Sequence, residues 1–339
     1  MKTRLLGLSP EQLKDIATEC GLPRFAGGQM ARWLYSRRVR SIDSMTDISL
    51  EGRSRLQEKY EVGTLLPTEV QTSSDGTRKY LFLTGKGDAL EAVMIPDGDR
   101  KTLCVSSQAG CKMGCRFCMT GRGGFHAQLI AADILSQFFA VDEAGELTNA
   151  VFMGMGEPLD NWDEVKKAME VLTSPWGLGW SPKRLTLSTI GVLPALKRYM
   201  EESRCHLAVS LHNPFPKERL ELMPVEKAWP IREVVNLLKQ YDFSGQRRVS
   251  FEYTVFSGWN DSSRHADELI RLLRDLECRV NLIRFHQIPD FPYKTLSQRS
   301  MEAVRDRLTA GGLTATIRAS RGEDIMAACG LLAGNRPEK

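Results

Sequence analysis

The sequence predicts an α/β protein whose main domain is a partial (β/α) barrel of the TIM type, preceded by a small N-terminal helical domain and an antiparallel β extension. From Thr102 onward, short β-like runs alternate with helical patterns, which indicates parallel strands joined by right-handed crossovers. This alternation gives six or seven β/α units, too few for an eightfold barrel. Residues 67–100 carry closely spaced turn signals instead, which are typical of an antiparallel meander.

The length and composition are those of a globular protein of about two domains. The chain has 339 residues, of which 42% are apolar and 26% charged. No apolar run reaches the roughly 18 residues of a membrane span, and the N-terminus lacks the apolar stretch of a signal peptide. We therefore expect a cytoplasmic protein without membrane contact, whose eight cysteines stay reduced. The net charge of +4 permits nucleic-acid binding without requiring it.

Residues 1–62 are expected to form the helical domain. Ser9 and Gln12 form a capping box around Pro10, so the first helix should begin at Pro10 and end at Gly21. Further helices are expected at residues 28–37 and 50–60.

Basic residues cluster around Trp33 in this domain. They are Arg32, Arg37, Arg38 and Arg40. Together with the aromatic ring they form either an RNA-phosphate patch with a stacking platform or a solvated basic face above a core tryptophan. The net charge of the domain is too small to decide between the two.

Residues 63–100 are expected to form the β extension that leads into the barrel. Turn signals lie at residues 75–76, 85–88 and 96–99. In one of the predicted strands, Glu91 shares a face with Val93 and Ile95. Glu91 is therefore either an edge carboxylate in water or a partly buried acid with a raised pKa.

Residues 101–334 are expected to form the barrel, and 335–339 a frayed tail. Strands are expected at residues 102–107, 148–153, 184–189, 206–211, 249–256, 279–285 and 314–318, and helices at 129–140, 162–173, 231–240, 261–275 and 299–310. In such barrels the chemistry gathers at the C-terminal ends of the strands. The loop 108–121 follows the first strand and is the expected place of the active site.

Three cysteines in this loop have the spacing C-x3-C-x2-C. They are Cys111, Cys115 and Cys118. Three thiolates are one too few for a tetrahedral zinc site, or for all four irons of a [4Fe–4S] cluster, so such a cluster would keep one iron open. Two alternatives remain: zinc with a distant fourth ligand such as His126, and a chance grouping without metal.

This cysteine run, with Phe117 before its third cysteine, resembles the signature of the radical S-adenosylmethionine (SAM) enzymes. The resemblance implies one [4Fe–4S] cluster per chain, whose open iron takes the amino and carboxylate groups of SAM. Reductive cleavage of SAM then yields a 5′-deoxyadenosyl radical. The resemblance also implies the partial barrel of the radical SAM type.

Two further cysteines, Cys104 and Cys329, stand apart from the triplet. A cysteine in either place is more often a small buried residue than a nucleophile. Little bulk surrounds Cys329, however, and Arg318 and Arg321 upstream are suited to stabilise a thiolate. The three remaining cysteines, Cys20, Cys205 and Cys278, are expected to be core or near-core residues.

Five stretches resemble those of the RNA adenine-C2 methyltransferases called RlmN, and the likeness extends over nearly the whole chain. The stretches are CVSSQAGC at 104–111, MGMGEP at 153–158, LSTIG at 187–191, VSLH at 209–212 and GEDIMAACG at 322–330. A cysteine just before the cluster and another near the C-terminus separate this family from most radical SAM enzymes.

The RlmN resemblance implies a reaction that uses two SAM molecules per turnover, because the electron-poor C2 of adenine does not attack a methyl group directly. Cys329 takes a methyl group from the first SAM, and the radical made from the second removes a hydrogen atom from it. The resulting carbon radical adds to C2, and Cys104 releases the product by forming a transient disulfide with Cys329. Glu91 matches the family's proton acceptor.

The resemblance places the SAM contacts at the ends of the barrel strands. They are Gly156, Glu157, Ser188, Ser210, Leu211, His212 and His286. Gly156 lets the backbone approach the ligand, and Glu157 is suited to accept a hydrogen bond from the SAM ammonium. His286 stands where many members have asparagine, so this contact is either kept by the imidazole or lost.

The implied substrate is 23S rRNA near the peptidyl-transferase centre, and for many members also the adenine beside the tRNA anticodon. We expect a monomer that receives electrons from a donor such as flavodoxin. Three basic residues around the cluster loop, Lys112, Arg116 and Arg122, are candidates for phosphate contacts. Two rivals remain: the C8-specific relative called Cfr, which shares the five cysteines, and a non-enzymatic metal-containing RNA-binding protein.

Overall fold

The computed structural model describes residues 2–245 and 247–334. The predicted tail at 335–339 lies outside the described residues. The strands are β1 (Thr3–Arg4), β2 (Tyr60–Glu61), β3 (Pro67–Thr72), β4 (Arg78–Leu83), β5 (Ala89–Asp97), β6 (Arg100–Cys104), β7 (Gln108–Gly110), β8 (Phe125–Gln128), β9 (Asn149–Phe152), β10 (Leu185–Thr189), β11 (His206–Ser210), β12 (Val249–Ser257), β13 (Arg279–Arg284), β14 (Lys294–Thr295) and β15 (Thr314–Ile317).

The helices lie mostly between the parallel strands, as the alternating pattern predicts. They are α1 (Pro10–Glu19), α2 (Ala26–Ala31), α3 (Leu50–Lys59), α4 (Met119–Arg122), α5 (Ala131–Phe139), α6 (Trp162–Thr173), α7 (Leu193–Glu202), α8 (Pro216–Leu222), α9 (Ile231–Leu238), α10 (Ser263–Leu273) and α11 (Gln298–Ala310). Among the described residues, none of these helices is long and apolar enough to cross a membrane.

One large sheet organises the molecule. Its order is β15-β13-β12-β11-β10-β9-β6-β5-β4-β3, and the strands from β6 to β15 pair in parallel. In the described part of the chain β15 does not pair with β6, so the barrel stays open. The prediction of a partial barrel is therefore confirmed. All the parallel strands point their C-terminal ends toward one edge, which gathers the residues that follow them.

The β extension continues the sheet of the barrel rather than forming a separate layer. β3, β4, β5 and β6 pair in antiparallel fashion, and β6 then pairs in parallel with β9. The first barrel strand spans Arg100–Cys104, two residues earlier than predicted at its start, because the turn at 98–99 leads straight into it. Cys104 therefore ends a strand that belongs to both parts, beside Val93 on one side and Val151 on the other.

The N-terminal domain follows its sequence signals closely. Ser9 caps α1 through the predicted capping box. The Ser9 hydroxyl oxygen accepts the Gln12 N–H, and the Gln12 side-chain oxygen accepts the Ser9 N–H. The second predicted helix begins two residues early and continues as a π-helix at Arg32–Ser36. A Cβ on Gly7 would lie 2.9 Å from the Cβ of Ala131 at the start of α5, so the domain packs closely on the barrel.

The basic cluster of this domain is partly neutralised by protein partners. Arg32 lies 2.6 Å from one carboxylate oxygen of Asp47, and the Trp33 indole N–H donates to the other oxygen. The guanidinium of Arg37 lies 4.7 Å from the centre of the Trp33 ring. Trp33 is half-buried and already covered, so it is a poorer stacking platform than the sequence alone suggests.

The three cysteines expected in or near the core lie there. Cys20 and Cys205 are buried in the main apolar core, and Cys278 packs against it. Burial raises the pKa of Cys205 to about 11 and that of Cys278 to about 12. These three thiols are therefore inert packing residues, and the prediction is confirmed.

Candidate active site

The loop that carries the cysteine triplet is closed at its base by two short strands. β7 pairs with β8, so residues 111–124 leave the sheet and return at the same point. Gly110 has a φ of +74°, and a Cβ there would lie 2.1 Å from the carbonyl oxygen of Gly124. Cys111 donates its N–H to that same oxygen at 2.8 Å. Only glycine fits at position 110, and the backbone fixes both ends of the loop.

All three cysteines of the triplet line one cavity at the C-terminal ends of the parallel strands, which we call the central cavity. It holds about 990 Å³ including its open mouth. Within residues 2–245 and 247–334, no three or more His, Cys, Asp or Glu side chains are grouped as the ligands of a metal ion would be. Three thiols around a shared cavity are the donor set of a [4Fe–4S] cluster with one open iron. His126, the alternative zinc ligand, is exposed on β8 and outside the cavity wall.

The thiols of the triplet are held in surroundings of low polarity. Burial raises the pKa of Cys111 to about 12, and it also raises the pKa values of Cys115 and Cys118. A thiol binds metal only as the thiolate. Iron would therefore supply the positive charge that keeps these three groups deprotonated.

Gly156 lies in the wall of the central cavity, just after β9, as predicted. Its φ is +95°, and a Cβ there would lie 2.5 Å from the Cβ of Gln108. Gln108 accepts a bond from the Glu157 N–H at 2.9 Å and donates to Asp160 at 2.7 Å. A side chain at position 156 would therefore displace the glutamine that holds this turn in place.

Glu157 also lines the central cavity but is largely occupied by the protein. Its Oε1 accepts bonds from the Leu159 N–H at 3.1 Å and the Thr189 hydroxyl at 2.6 Å, and its Oε2 accepts from the Ile190 N–H at 2.9 Å. Burial raises the pKa of Glu157 to about 7. The carboxylate thus ties the end of β9 to the end of β10, and Oε2 keeps one lone pair for a ligand.

Of the four residues predicted at the ends of β10 and β11, three line the central cavity. Ser188, Ser210 and His212 are in its wall. Leu211 is not: its side chain is fully buried in the main core, because successive side chains along a strand point to opposite faces. Leu211 can therefore contact a ligand in this cavity only through its backbone, and its predicted contact with SAM stays a prediction.

His212 is held as a neutral hydrogen-bond donor. It has a φ of +55°, and its Nδ1 accepts the N–H of Thr254 at 3.0 Å, so the ring proton is on Nε2. Burial lowers the pKa of His212 to about 3, with the positive charge of Arg219 adding to the effect. His212 is therefore suited to donate a hydrogen bond and unsuited to act as a general base near neutral pH.

The two separate cysteines share a second cavity, which we call the side cavity; its wall includes Cys104, Cys118, Arg318 and Cys329. Cys329 and Cys118 line both cavities. Cys329 is exposed, whereas Cys104 is half-buried. Burial raises the pKa of Cys104 to about 12, and the neighbouring Cys329 adds to this. Cys329 thus lies where the two cavities meet: it shares the central cavity with the triplet and the side cavity with Cys104.

His286 lies in the side cavity and not in the central one. Its Nε2 is 3.1 Å from the Ser320 hydroxyl, and its Nδ1 is 3.5 Å from a carboxylate oxygen of Glu323. Burial lowers the pKa of His286. The position is therefore next to the cysteine pair, and the contacts of the imidazole are to the C-terminal part of the chain.

Glu91 is buried, so the alternative of an edge carboxylate in water is wrong. Its Oε2 accepts the N–H groups of Ala333 and Gly334, each at 2.9 Å, and its Oε1 lies 3.3 Å from the Lys79 ammonium. It lines neither the central nor the side cavity but a third one, which we call the rear cavity and which also includes Lys79, Met119 and Leu331. Glu91 therefore shares no cavity wall with Cys104 or Cys329.

Sequence reasoning missed several polar residues of the central cavity, among them Glu252 and Thr254 on β12. Glu252 is buried and accepts bonds from Asn281 at 2.7 Å and Ser250 at 3.0 Å. Its second oxygen lies 3.4 Å from the Arg318 guanidinium. The signal was present, because a carboxylate within an otherwise apolar strand needs partners or a function.

The basic residues around the cluster loop are mostly engaged by the protein. Lys112 lies 2.8 Å from Asp160 and 4.5 Å from the centre of the Phe125 ring. Arg122 donates to the carbonyl of Pro289. These contacts reduce the charge available to phosphate at this edge of the cavity.

Comparison with known proteins identifies the family. The profile of the Radical SAM superfamily matches residues 105–273, and that of the ribosomal RNA large subunit methyltransferase N-terminal domain matches residues 3–62. A Porphyromonas gingivalis (strain W83) protein named probable dual-specificity RNA methyltransferase RlmN is 58% identical over 334 residues, covering 98% of this chain and 98% of its own. A Parabacteroides distasonis protein of the same name is 58% identical over 331 residues, covering 98% and 96%. The chain belongs to the RlmN family of radical SAM RNA methyltransferases.

A solved structure agrees with this assignment. The crystal structure of a radical SAM methyltransferase from Sphaerobacter thermophilus matches with a TM-score of 0.93 at 37% identity, covering 98% of this chain and all of that one. RlmN membership makes the chain a SAM-dependent enzyme that acts on RNA and uses an iron–sulfur cluster. The predicted enzyme class is confirmed, and the alternative of a non-enzymatic RNA-binding protein is wrong.

Proposed function

We propose that the chain methylates C2 of an adenine in 23S rRNA, and of the adenine beside the anticodon in tRNA, through an S-methylcysteine at Cys329. The observation that carries the proposal is the position of Cys329 at the meeting of the two cavities. There it is near both the cysteine triplet and Cys104. A methyl carrier needs both neighbours: the cluster site at the triplet to activate the methyl group, and Cys104 to release the product.

Cys329 would first act as a nucleophile toward SAM. Its thiolate attacks the methyl carbon, the bond from that carbon to the sulfonium breaks, and S-adenosylhomocysteine leaves with the electron pair. Arg318 lines both cavities. Burial lowers the pKa of its guanidinium, but the negative charges of the Cys329 thiolate, the Glu252 carboxylate and the Cys104 thiolate together outweigh burial and raise the pKa. The fixed positive charge of Arg318 favours the Cys329 thiolate.

The triplet Cys111, Cys115 and Cys118 would hold one [4Fe–4S] cluster, with SAM on its open iron. When bound, these cofactors supply a 5′-deoxyadenosyl radical. Gly156 admits the ligand close to the backbone, Glu157 offers its free lone pair to the SAM ammonium, and Ser188, Ser210 and His212 offer hydrogen bonds from the neighbouring strand ends. Each of these groups orients SAM; none of them exchanges a proton with it.

Cys104 would complete the reaction after the Cys329 methylene has joined C2. The adduct would then give up the C2 proton to Glu91 and one electron, for which the iron–sulfur cluster, oxidised when SAM was cleaved, would be the acceptor. The Cys104 thiolate then attacks the sulfur of Cys329, so a disulfide forms and the sulfur–methylene bond breaks, with the pair staying on the product carbon to be protonated. Cys104 lies in the same cavity wall as Cys329, which supports this role.

Glu91 is proposed as the acceptor of the C2 proton. Its Oε1 faces the rear cavity with Lys79 as its only ion-pair partner among the described residues, whereas Oε2 is taken by Ala333 and Gly334. To accept the C2 proton, Glu91 must come into contact with the adenine beside residues 330–334, the stretch that contains its two N–H partners.

The enzyme is proposed to act in the cytoplasm as a monomer, with a reductant such as flavodoxin. The target adenine must leave its stack to reach the strand ends, since the cavities lie inside the barrel mouth. The match of residues 3–62 to the N-terminal domain of ribosomal RNA large subunit methyltransferases supports rRNA as a substrate. His286 is proposed to face the cavity of Cys104 and Cys329 and not to contact the SAM adenosine, because it lines the side cavity.

Two mass-spectrometric measurements test the proposal on anaerobically reconstituted enzyme. A methyl group should be found on Cys329 and on no other cysteine. After reaction with rRNA and tRNA fragments, nuclease digestion should yield 2-methyladenosine. Finding 8-methyladenosine would favour the Cfr-type reaction, and an unmethylated Cys329 would refute the carrier role.

A further inference from the structure

Residues 322–334, which we call the C-terminal segment, touch the β extension at both ends through glycines. Gly322 has a φ of +65°, and a Cβ there would lie 2.9 Å from Cγ2 of Thr77, in the turn between β3 and β4. Gly334 has a φ of +63°, and a Cβ there would lie 3.2 Å from the carbonyl oxygen of Ala89 at the start of β5. The backbone is thus seated closely against the sheet before and after Cys329.

The front end of the segment is bound by the β3–β4 turn. A carboxylate oxygen of Asp75 accepts the N–H of Gly322 at 3.0 Å. In return, Asp324 accepts the Ser73 hydroxyl at 2.6 Å and the Ser74 N–H at 3.0 Å. Three hydrogen bonds to charged acceptors therefore join two stretches that are some 247 positions apart in the chain.

The rear end is bound by Glu91. One buried oxygen of this carboxylate accepts two consecutive N–H groups, those of Ala333 and Gly334. Lys79 balances the charge from the other oxygen. Removing Glu91 would leave two half-buried backbone donors without this partner, which is costlier than losing an exposed hydrogen bond.

Between the two ends, the segment leans on the helix that follows the cluster cysteines. The Met119 N–H donates to the Gly330 carbonyl at 2.8 Å, and the Thr120 hydroxyl donates to the Leu332 carbonyl at 2.5 Å. Flanking residues of the segment are buried, whereas Cys329 itself is exposed. The thiol therefore projects from a backbone that is fixed on both sides.

We propose that Asp75 and Glu91 are positioning residues that clamp the C-terminal segment from its two ends and so set the place of Cys329. The proposal rests on the proposed function only in treating Cys329 as the methyl carrier. Hydrogen transfer between SAM-derived carbon and an S-methyl group needs near contact, and a displacement of about 1 Å costs on the order of a hundredfold. If the clamp is loosened, the radical still forms, but 5′-deoxyadenosine is produced without methylation of the RNA.

The first test compares the β3–β4 turn, which binds the C-terminal segment, with the β4–β5 turn of the same extension. Asp75→Ala removes the bond to Gly322, and Asp324→Ala, at an exposed position, removes the bonds to Ser73 and Ser74. Asp88→Ala is the matched control, because within residues 2–245 and 247–334 the Asp88 side chain bonds only Thr84, inside the β4–β5 turn.

Two readouts are taken on the reconstituted full chain. Amide hydrogen exchange of residues 322–334 should speed up by about tenfold in both clamp variants. The ratio of 5′-deoxyadenosine to methylated adenosine should rise by about fivefold, while the cluster absorbance stays unchanged. Asp88→Ala should change neither. Wild-type exchange and wild-type coupling in both clamp variants would overturn the proposal.

A second test isolates the Glu91 end. In the absence of RNA, Glu91→Ala should slow the methylation of Cys329 by the first SAM by about tenfold, because the thiol is misplaced. A role as proton acceptor alone would leave that step unchanged, and this result would remove Glu91 from the clamp. Exchange of 322–334 does not depend on methyl transfer, so it reports on the clamp even if Cys329 proves not to be the carrier.

Discussion

The cluster loop at 111–124 and the C-terminal segment at 322–334 both bring cysteines to the central cavity, yet they are held in different ways. The loop is closed by its own neighbours, through the β7–β8 pair and the bond from Cys111 to Gly124. The segment is held by residues 242 and 247 positions earlier in the chain, Glu91 and Asp75. The comparison teaches that the base of the cluster loop is closed by residues close to it in the chain, whereas both ends of the segment that carries Cys329 are bound by residues far away in the chain.

The largest expected effect is the loss of the cluster when a cysteine of the cluster loop is replaced. Cys118→Ala should abolish cluster binding and lower 5′-deoxyadenosine formation by more than about a thousandfold, because a ligand of the loop is lost. Iron analysis and chromatography of the nucleoside products measure it. Cys278→Ala is the control, since Cys278 packs against the core. Normal deoxyadenosine production by Cys118→Ala would end the assignment of the triplet.

Cys104→Ala should impair only the release of the product from Cys329. Radical formation should continue, but the RNA should stay covalently attached to Cys329, so turnover should fall by at least about a hundredfold. Denaturing gel electrophoresis with labelled RNA detects the adduct. Multiple turnovers at the wild-type rate would contradict the resolving role.

The release step should depend steeply on pH. Burial raises the pKa of Cys104 to about 12, so below that value its thiolate fraction, and with it the rate of adduct breakdown, should rise about tenfold per pH unit. Rapid quenching of a single turnover at pH 7, 8 and 9 measures this rate. A pH-independent breakdown would show that Cys104 is already a thiolate in the adduct.

A glycine pair tests how strictly the loop is closed. Gly110→Ala should lower cluster occupancy by about tenfold, because its Cβ would lie 2.1 Å from the Gly124 carbonyl oxygen. Gly124→Ala has a similar φ of +77° but no atom within 4 Å of the added Cβ, so it should cost less. Iron content per chain is the measurement. Equal losses would mean that backbone strain, and not the close contact, decides.

The smallest effect is expected at the contact between the two regions. Thr120→Val removes the hydroxyl that donates to the Leu332 carbonyl and should reduce methylation by about two- to threefold. Cluster content should not change, since Thr120 is not a ligand. Single-turnover methylation rates provide the measurement, and a change in iron content without a change in coupling would contradict this assignment.

The sequence predicted most of the architecture because its signals are local. Periodicity placed α6 at Trp162–Thr173 without error, and the capping box around Ser9 marked the start of α1. The spacing of the triplet predicted that its three thiols would share a site, and they line one cavity. The second predicted helix was less accurate, because the backbone widens into a π-helix at Arg32–Ser36.

The site was predicted less completely where a role depends on which way a side chain points. Leu211 follows Ser210 in the chain, yet it turns into the core. His286 ends near Cys104 instead of in the central cavity. Glu252 escaped notice because a single carboxylate in a strand gives no spacing signal.

The sequence by itself determined the order of the elements, the open barrel and the three-cysteine loop, because each is encoded by residues close together in the chain. The family resemblance implied that Cys329 and Cys104 come together, and the tertiary structure places both in the wall of one cavity; it alone decided that Asp75 and Glu91 bind the two ends of the C-terminal segment. Those contacts join distant parts of the chain, and their geometry follows from how the β extension continues the barrel sheet.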